Sequence, residues 1–132
     1  GAKVINCSFG STEFSQVEAD IITYVTDSLD VLLIASAGNN GMNIPIFPAS
    51  LPNVIGVCAV DEIDQKIPIS NYHSSFDISA PGKSIYAPFK DDTYSFNVSS
   101  TSAAAAVVSS AAILLRSYFE TESCFKPQMA PS

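Results

Sequence analysis

A short polar stretch, Ser99–Ser102, leads directly into an alanine-rich segment that continues as a long apolar run. This pattern predicts a tight loop followed by a buried helix, which we expect to continue to about Ser117. A serine hydroxyl at this junction would then lie near the helix N-terminus, where free N–H groups and the helix dipole favour a developing negative charge. Such a hydroxyl suits a nucleophile that attacks a carbonyl carbon. The alternative is that Thr101 or Ser102 only caps the helix.

A second candidate group is Asn39, in the sequence Ala37-Gly38-Asn39-Asn40-Gly41 that follows the apolar run Val31–Ala35. A continuous apolar run of this length is typical of a strand that is buried on both faces of a parallel sheet. In open α/β sheets, ligands bind beyond the carboxyl ends of the strands, which is where we expect Asn39. An Asn-Gly pair also forms ordinary turns, so both interpretations stay open.

The elements that must position these groups alternate between strand and helix patterns. A capping-box sequence begins at Ser15, and apolar residues then recur at every fourth position, which predicts a helix over about residues 15–29. Strand, helix and strand in this order indicate the α/β class, with a mainly parallel sheet and flanking helices. The remaining expectations are strands at Val4–Phe9 and Val54–Val60, short strands and loop over Ile67–Asp77, and a hairpin with arms Ser84–Tyr86 and Tyr94–Phe96.

Composition limits the classes of partner. The chain has 132 residues and a net charge of −7, which suits one modest core and argues against nucleic acid or an anionic membrane as a partner. No apolar run is expected to reach transmembrane length. The three cysteines are odd in number and lack metal-ligand spacing, so we expect at least one free thiol. We also expect no metal site and no cofactor. The cysteines leave the cellular compartment undecided.

Several stretches, in matching order and spacing, resemble the C-terminal half of the catalytic domain of the subtilisin-like serine peptidases, or subtilases. The resemblance covers about residues 1–118 and implies one incomplete domain, residues 1–132. Its fold would be part of a doubly wound, mainly parallel sheet with flanking helices, truncated at both ends. The motifs that carry it are Gly1–Gly10, Ile34–Gly41, Phe47–Val57, Asp77–Gly82 and Ser100–Ala104.

The resemblance implies a role for each of several residues. Ser102 would be the acylating nucleophile, and Asn39 would donate its side-chain N–H to the oxyanion, together with the backbone N–H of Ser102. Two segments would line the substrate cleft and pair with an extended peptide. Ile46 and Phe47 would lie near the floor of the pocket for the residue before the cut, favouring an apolar side chain there. The cleft segments are Ser8, Phe9 and Gly10, and Ser36, Ala37 and Gly38.

The catalytic Asp and His of the family are not matched in this chain. The family's triad follows the order Asp, His, Ser, and the single histidine, His73, falls where relatives have a loop. We therefore expect the Asp and His in a missing N-terminal part. Ser100 replaces the family's glycine, where a side chain could crowd the substrate strand or demand a backbone angle that only glycine tolerates.

Two hypotheses follow. The first is a serine endopeptidase that acts on a peptide or protein substrate. The second is a non-catalytic subtilase-like domain that binds peptides or acts as a scaffold. In both, an exposed half sheet should associate with the missing N-terminal part of the domain or with a second copy of the chain. The resemblance also implies secretion and, in relatives, calcium bound by segments outside this chain.

Overall fold

The computed structural model describes the backbone of residues 1–124 and the side chains of residues 1–119. Its centre is a four-stranded parallel sheet with the strands in the order β1-β2-β3-β4. Because all four strands are parallel, their carboxyl ends lie at one edge, where the candidate residues follow the strands. This confirms the α/β expectation. The strands are β1 (Val4–Cys7), β2 (Leu32–Ser36), β3 (Val54–Val60) and β4 (Ile78–Pro81).

Helices cover both faces of the sheet. On one face lies α1 (Gln16–Thr23), which continues into a π-helical turn at Tyr24–Ser28. On the other lies α2 (Thr101–Cys124). Alternate side chains of β2 face the two layers, so Leu33 and Ala35 pack in the α1 core while Ile34 packs in the α2 core. Burial on both faces explains why the run Val31–Ala35 is apolar without alternation.

The start of α1 follows from its capping residue. The Ser15 side chain accepts a hydrogen bond from the Glu18 N–H at 3.3 Å, which satisfies one of the free donors of the first turn. Ile22 is buried against the sheet. Together, α1 and the π-helical turn occupy most of the helix predicted over residues 15–29.

A separate antiparallel hairpin, β5 (Ile85–Phe89) and β6 (Thr93–Val98), follows β4 and confirms the predicted arms. The expectation of short strands over Ile67–Asp77 is wrong, because this segment is turn and loop beyond an isolated bridge between Val60 and Lys66. Its apolar positions reflect burial, since Ile67 is 3% exposed and packs in the α2 core. Hydrophobic pattern alone does not separate buried loop from strand.

The second helix is longer than predicted and extends past Ser117 to Cys124. No glycine or proline occurs in that stretch to end it. From the sequence we expect Glu120 and Glu122 in a polar tail, but the structure places both on helical backbone. The family resemblance also predicts that Lys126–Ser132 leads into a further helix, and this segment lies outside the described residues.

By length and composition, Thr101–Phe119 is a candidate membrane span, so the expectation that no stretch would be long enough is wrong. In this structure the helix instead lies against the sheet, and the side chains of Ala104 and Ala105 are fully buried there. Further along the same helix, Ile113, Leu114 and Leu115 are exposed.

Candidate active site

The carboxyl end of β1 and the start of α2 are joined by a reciprocal pair of hydrogen bonds. The hydroxyl of Ser8 donates to the Ser102 carbonyl at 3.1 Å, and the hydroxyl of Ser102 donates to the Ser8 carbonyl at 3.4 Å. These residues are 94 positions apart in the chain. The parallel sheet therefore brings the predicted nucleophile beside the first predicted cleft segment.

The first turn of α2 is capped by Ser100. Its hydroxyl accepts a hydrogen bond from the Ala103 N–H at 3.1 Å, so the interpretation that Thr101 or Ser102 caps the helix is wrong. Ser100 is not among the residues with a left-handed backbone, so no glycine-only angle is required there. Its own N–H donates to the Gly82 carbonyl at 2.8 Å. The serine thus supplies a side-chain acceptor that glycine lacks.

The N–H groups of this first turn differ in whether they have a hydrogen-bond partner. The N–H groups of Thr101, Ala103 and Ala104 donate to Asn39, to the Ser100 hydroxyl and to the Ser100 carbonyl. Among the described residues, the N–H of Ser102 has no such partner. A helix N-terminus offers its free N–H groups to anions, and here the free group belongs to the predicted nucleophile.

The side chain of Asn39 is held by Thr101. Its Oδ1 accepts the Thr101 N–H at 2.8 Å and the Thr101 hydroxyl at 3.0 Å, across 62 positions of sequence. Because the carboxamide oxygen is occupied, its NH₂ group must point away from Thr101. Thr101 is fully buried, and its hydroxyl also accepts the Gly38 N–H at 3.1 Å. Asn39 is therefore more than an ordinary turn residue.

Gly82 lets the end of β4 approach α2 closely. A Cβ at this position would lie 2.6 Å from Ala59 Cβ, 2.7 Å from the Ser100 carbonyl oxygen and 3.2 Å from Ala104 Cβ. No side chain fits in that gap. The start of α2 therefore rests almost directly on the sheet.

The two predicted cleft segments differ in what their backbones offer. Ser8, Phe9 and Gly10 are exposed, whereas Ser36 and Ala37 are buried. The Ala37 N–H donates to the Val57 carbonyl at 3.0 Å, and the Gly38 carbonyl accepts the Asn71 N–H at 2.9 Å. The N–H groups of Ala37 and Gly38 and the Gly38 carbonyl are therefore used within the fold. Pairing of this segment with a peptide stays a prediction.

Ile46 fills the space between the two segments and is only 5% exposed. A Cβ on Gly10 would lie 2.5 Å from its Cγ2, and one on Gly38 would lie 3.2 Å from its Cγ1. Both glycines therefore leave room for this side chain. Phe47, the other predicted floor residue, is half-buried, and its ring packs edge-on against Phe14 at 5.3 Å between centroids.

His73 lies in a loop, as predicted, and its contacts are local. Its Nδ1 lies 2.8 Å from the Ser75 hydroxyl, which donates to the Ser50 hydroxyl at 2.8 Å. Within residues 1–119, no histidine or carboxylate is hydrogen-bonded to the hydroxyl of Ser102. In the same part of the chain, no group of three or more His, Cys, Asp or Glu side chains could hold a metal ion.

Within residues 1–119, four groups have a shifted pKa, and none of them is bonded to Ser102 or Asn39. A hydrogen bond and charge from Arg116 lower the pKa of Asp30, and hydrogen bonds from backbone N–H groups, chiefly that of Gln65, lower the pKa of Asp61. Burial raises the pKa of the Cys7 and Cys58 thiols, both of which are free, in agreement with the cysteine count.

Two residues of this site were missed by sequence reasoning. Thr101 was considered only as a cap, although it holds Asn39 through its N–H and its hydroxyl. Asn71 is fully buried behind the Asn39 loop, and its only signal was a place in the family-like loop Ser70–His73. Neither contact can be read from spacing, because each joins residues more than 28 positions apart.

Comparison with known proteins places this arrangement in a family. The model of the subtilase family of peptidases matches residues 1–130. Thermitase from Thermoactinomyces vulgaris is 38% identical over 117 residues, which are 89% of this chain and 41% of thermitase. Among solved structures, the prenylagaramide maturation protease PagA superposes with a TM-score of 0.86 at 34% identity, over 96% of this chain and 48% of PagA.

The self-cleaved protease domain of PatA gives a TM-score of 0.80 at 34% identity, over 87% of this chain and 45% of that domain. The chain thus spans less than half the length of each of these three relatives. The sequence resemblance and the expected subtilisin-like fold are both confirmed. By its sequence and by its parallel sheet with flanking helices, the chain belongs to the subtilase family, whose members are serine proteases.

Proposed function

We propose that this chain is the nucleophile-bearing part of a subtilisin-like serine endopeptidase, which hydrolyses peptide bonds through an acyl-enzyme on Ser102. One observation carries the proposal: the carboxamide oxygen of Asn39 is hydrogen-bonded to Thr101, the residue directly before Ser102. In the proposed chemistry, the Asn39 NH₂ group and the Ser102 N–H are the two donors that stabilise the oxyanion.

The chemistry assigns each group a step. The Ser102 hydroxyl attacks the carbonyl carbon of the scissile bond and loses its proton to a general base. The carbonyl oxygen becomes an oxyanion and accepts hydrogen bonds from Asn39 Nδ2 and the Ser102 N–H. The base would be the family's histidine, oriented by its aspartate, on an N-terminal part that this chain does not contain. The base then protonates the leaving amine, and water hydrolyses the ester.

The substrate would lie along the exposed segment Ser8–Gly10 and pair with backbone groups there other than the Ser8 carbonyl, which accepts the Ser102 hydroxyl. The side chain before the cut would point to the wall formed by Ser36–Gly38. Because Ile46 fills the space between the two segments, we expect a small apolar side chain there. The sequence alone led us to expect an apolar side chain at this position, and we now expect that side chain to be small as well.

The N-terminal part would join the chain at the outer edge of β1, which pairs with β2 alone among the described strands. An apolar groove of about 410 Å³ lies beside that edge and includes the side chains of Phe9, Val17 and Ile21. Each of these three is at least half exposed. Open strand edges and apolar patches associate with other chains. Analytical ultracentrifugation of residues 1–132 should therefore show self-association, and a stable monomer would contradict this part of the proposal.

The decisive test is covalent labelling of the full-length protein. A fluorophosphonate probe should modify Ser102, as identified by peptide mass spectrometry, and Ser102→Ala should abolish the labelling. Ser99→Ala is a matched control, because that serine precedes the helix and lies outside the proposed chemistry. The alternative, a non-catalytic domain that binds peptides or acts as a scaffold, predicts peptide binding without labelling at Ser102.

A further inference from the structure

We infer that Asn71 is a positioning residue, which fixes the loop that carries Asn39 and so aims the oxyanion donor. The inference rests on the proposed function, because Asn71 would act on the reaction only through Asn39. The loop in question, Gly38–Met42, follows β2 and contains two residues with left-handed backbone, Gly38 and Gly41. Such a segment needs contacts from elsewhere to hold a single conformation.

Asn71 supplies those contacts on both sides of Asn39. Its backbone N–H donates to the Gly38 carbonyl at 2.9 Å. Its Oδ1 accepts the N–H groups of Asn40 and Met42, each at 3.0 Å. Gly38 and Asn40, the residues before and after Asn39, are thus bonded to the backbone and to the side chain of Asn71. No other contact described for this loop brackets Asn39 in this way.

Asn71 is in turn anchored to the sheet. Its carbonyl accepts the Ser70 hydroxyl at 3.0 Å and the Cys58 thiol at 3.4 Å. The Ser70 hydroxyl also accepts the Ala59 N–H of β3 at 3.0 Å. Because β3 is a central strand, these bonds transfer its rigidity to Asn71 and from there to the loop.

The other end of the same side chain has no partner. Asn71 Nδ2 is buried and makes no hydrogen bond among the described residues. A Cβ on Gly38 would lie 2.5 Å from it, so the amide also requires glycine at that position. An unpaired buried donor lowers stability. The favourable part of this side chain is therefore its oxygen, which faces the loop.

The test measures peptide hydrolysis by the full-length protein and two Asn71 variants. Asn71→Leu removes the acceptor, and we expect kcat to fall about 10- to 100-fold with KM changed less than about 3-fold. Asn71→Asp keeps both acceptor contacts and should retain kcat within about 10-fold. Asn40→Ala changes an exposed side chain of the same loop and is the matched control. Circular dichroism establishes that each variant folds, and Asn71→Ser replaces Asn71→Leu if the latter does not.

A double-mutant cycle separates positioning from a general structural role. In an Asn39→Ala background, Asn71→Leu should lower kcat by less than about 3-fold, because the group it aims is already gone. An equal loss in both backgrounds would overturn the inference. So would an unchanged kcat in Asn71→Leu alone.

Amide hydrogen exchange distinguishes failure of this inference from failure of the proposed function. The Asn40 and Met42 N–H groups should be protected in the wild-type protein and exchange at least about 10-fold faster in Asn71→Leu. If the wild-type protein hydrolyses no peptide, the proposed function fails, and with it the assignment of Asn71 to catalysis. If exchange is unchanged while the protein is active, the positioning inference alone is wrong.

Discussion

The two halves of the candidate site are built to different degrees. The carboxamide of Asn39 is held by two hydrogen bonds from Thr101, and its loop is held by Asn71. The hydroxyl of Ser102, by contrast, makes one long hydrogen bond of 3.4 Å to a backbone carbonyl. An oxyanion donor must be rigid before substrate arrives, whereas a nucleophile must be free to exchange its proton partner. The difference indicates that the proposed oxyanion donor is already fixed in this chain, whereas the Ser102 hydroxyl is free to bond to a base.

The largest expected effect comes from removing the hydroxyl. In the full-length protein, Ser102→Ala should reduce kcat for peptide hydrolysis by about 10⁶-fold, a magnitude taken from another member of the family. Binding of a substrate-like peptide should persist, because Ser8–Gly10 is unchanged. Isothermal titration and a turnover assay on the same variant test both statements. Substantial residual turnover would mean that another group is the nucleophile.

Removing the Asn39 carboxamide should lower kcat less than removing the Ser102 hydroxyl. Asn39→Ala deletes the donor and should lower kcat about 10²- to 10³-fold with little change in KM, again a magnitude from a relative. Labelling of Ser102 by the fluorophosphonate should become slower without disappearing. An equal effect on KM and kcat would place Asn39 in substrate binding instead.

Removing one of the hydrogen bonds that hold Asn39 should lower kcat less than removing Asn39 itself. Thr101→Val removes the hydroxyl that joins Asn39 to Gly38 but keeps the backbone N–H bond, and we expect kcat to fall about 10-fold, equivalent to about 1.4 kcal/mol. The unpaired Gly38 N–H should also lower the free energy of unfolding by about 1–3 kcal/mol. Thr101→Ser keeps the hydroxyl and should be close to wild type. Urea unfolding and kcat measured on both variants provide the comparison.

The helix cap should affect stability more than chemistry. Ser100→Ala removes the bond to the Ala103 N–H and should cost about 1 kcal/mol of unfolding free energy. Ser100→Gly should cost only a few tenths of that amount, because glycine is also accepted at this position. A large fall in kcat for either variant would mean that Ser100 contributes to the site directly.

The smallest effect is expected at the far end of α2, where Arg116 donates to the Asp30 carboxylate at 2.7 Å. Because Arg116 lowers the pKa of Asp30, the folded state favours the charged carboxylate. This contribution is present above pH of about 4, the ordinary range for Asp, and is lost as the pH falls through the lowered pKa. Asp30→Asn should therefore unfold slightly more easily at pH 7 and match wild type in strong acid. Thermal unfolding across pH tests this, and kcat should not change.

The local parts of this fold could be predicted from the sequence. The run Val31–Ala35 gave a buried strand, and the small polar residues before Ala103 gave the start of α2, because each signal lies within one element. The segment 67–77 could not be predicted, since Ile67 is buried as loop against α2 rather than as strand. The end of α2 was misjudged because no stop signal lies near Ser117.

The candidate site shows the same division. Residue patterns pointed to a serine at the start of α2 and to Asn39, and the family resemblance assigned their roles. The structure joins Asn39 to Thr101, the residue next to Ser102. Thr101 and Asn71 were not assigned as supports, because their hydrogen bonds cross from one element to another. For a similar reason, the sequence could not show that the N–H groups of Ala37 and Gly38, in a predicted cleft segment, donate to β3 and to Thr101. Composition does not reveal which backbone N–H and C=O groups the fold uses in its own hydrogen bonds.

The gap at Gly82 has a consequence for the spacing of the whole site. Since a single methyl group there would collide with Ala59, Ala104 and the carbonyl of Ser100, it would act as a wedge under the first turn of the helix. The serine would then be lifted from the sheet, and the Thr101 bonds that hold Asn39 would be stretched, because the Asn39 loop is tied to the central strand through Asn71. The separation between attacking oxygen and oxyanion donor is thus set by a residue that has no side chain.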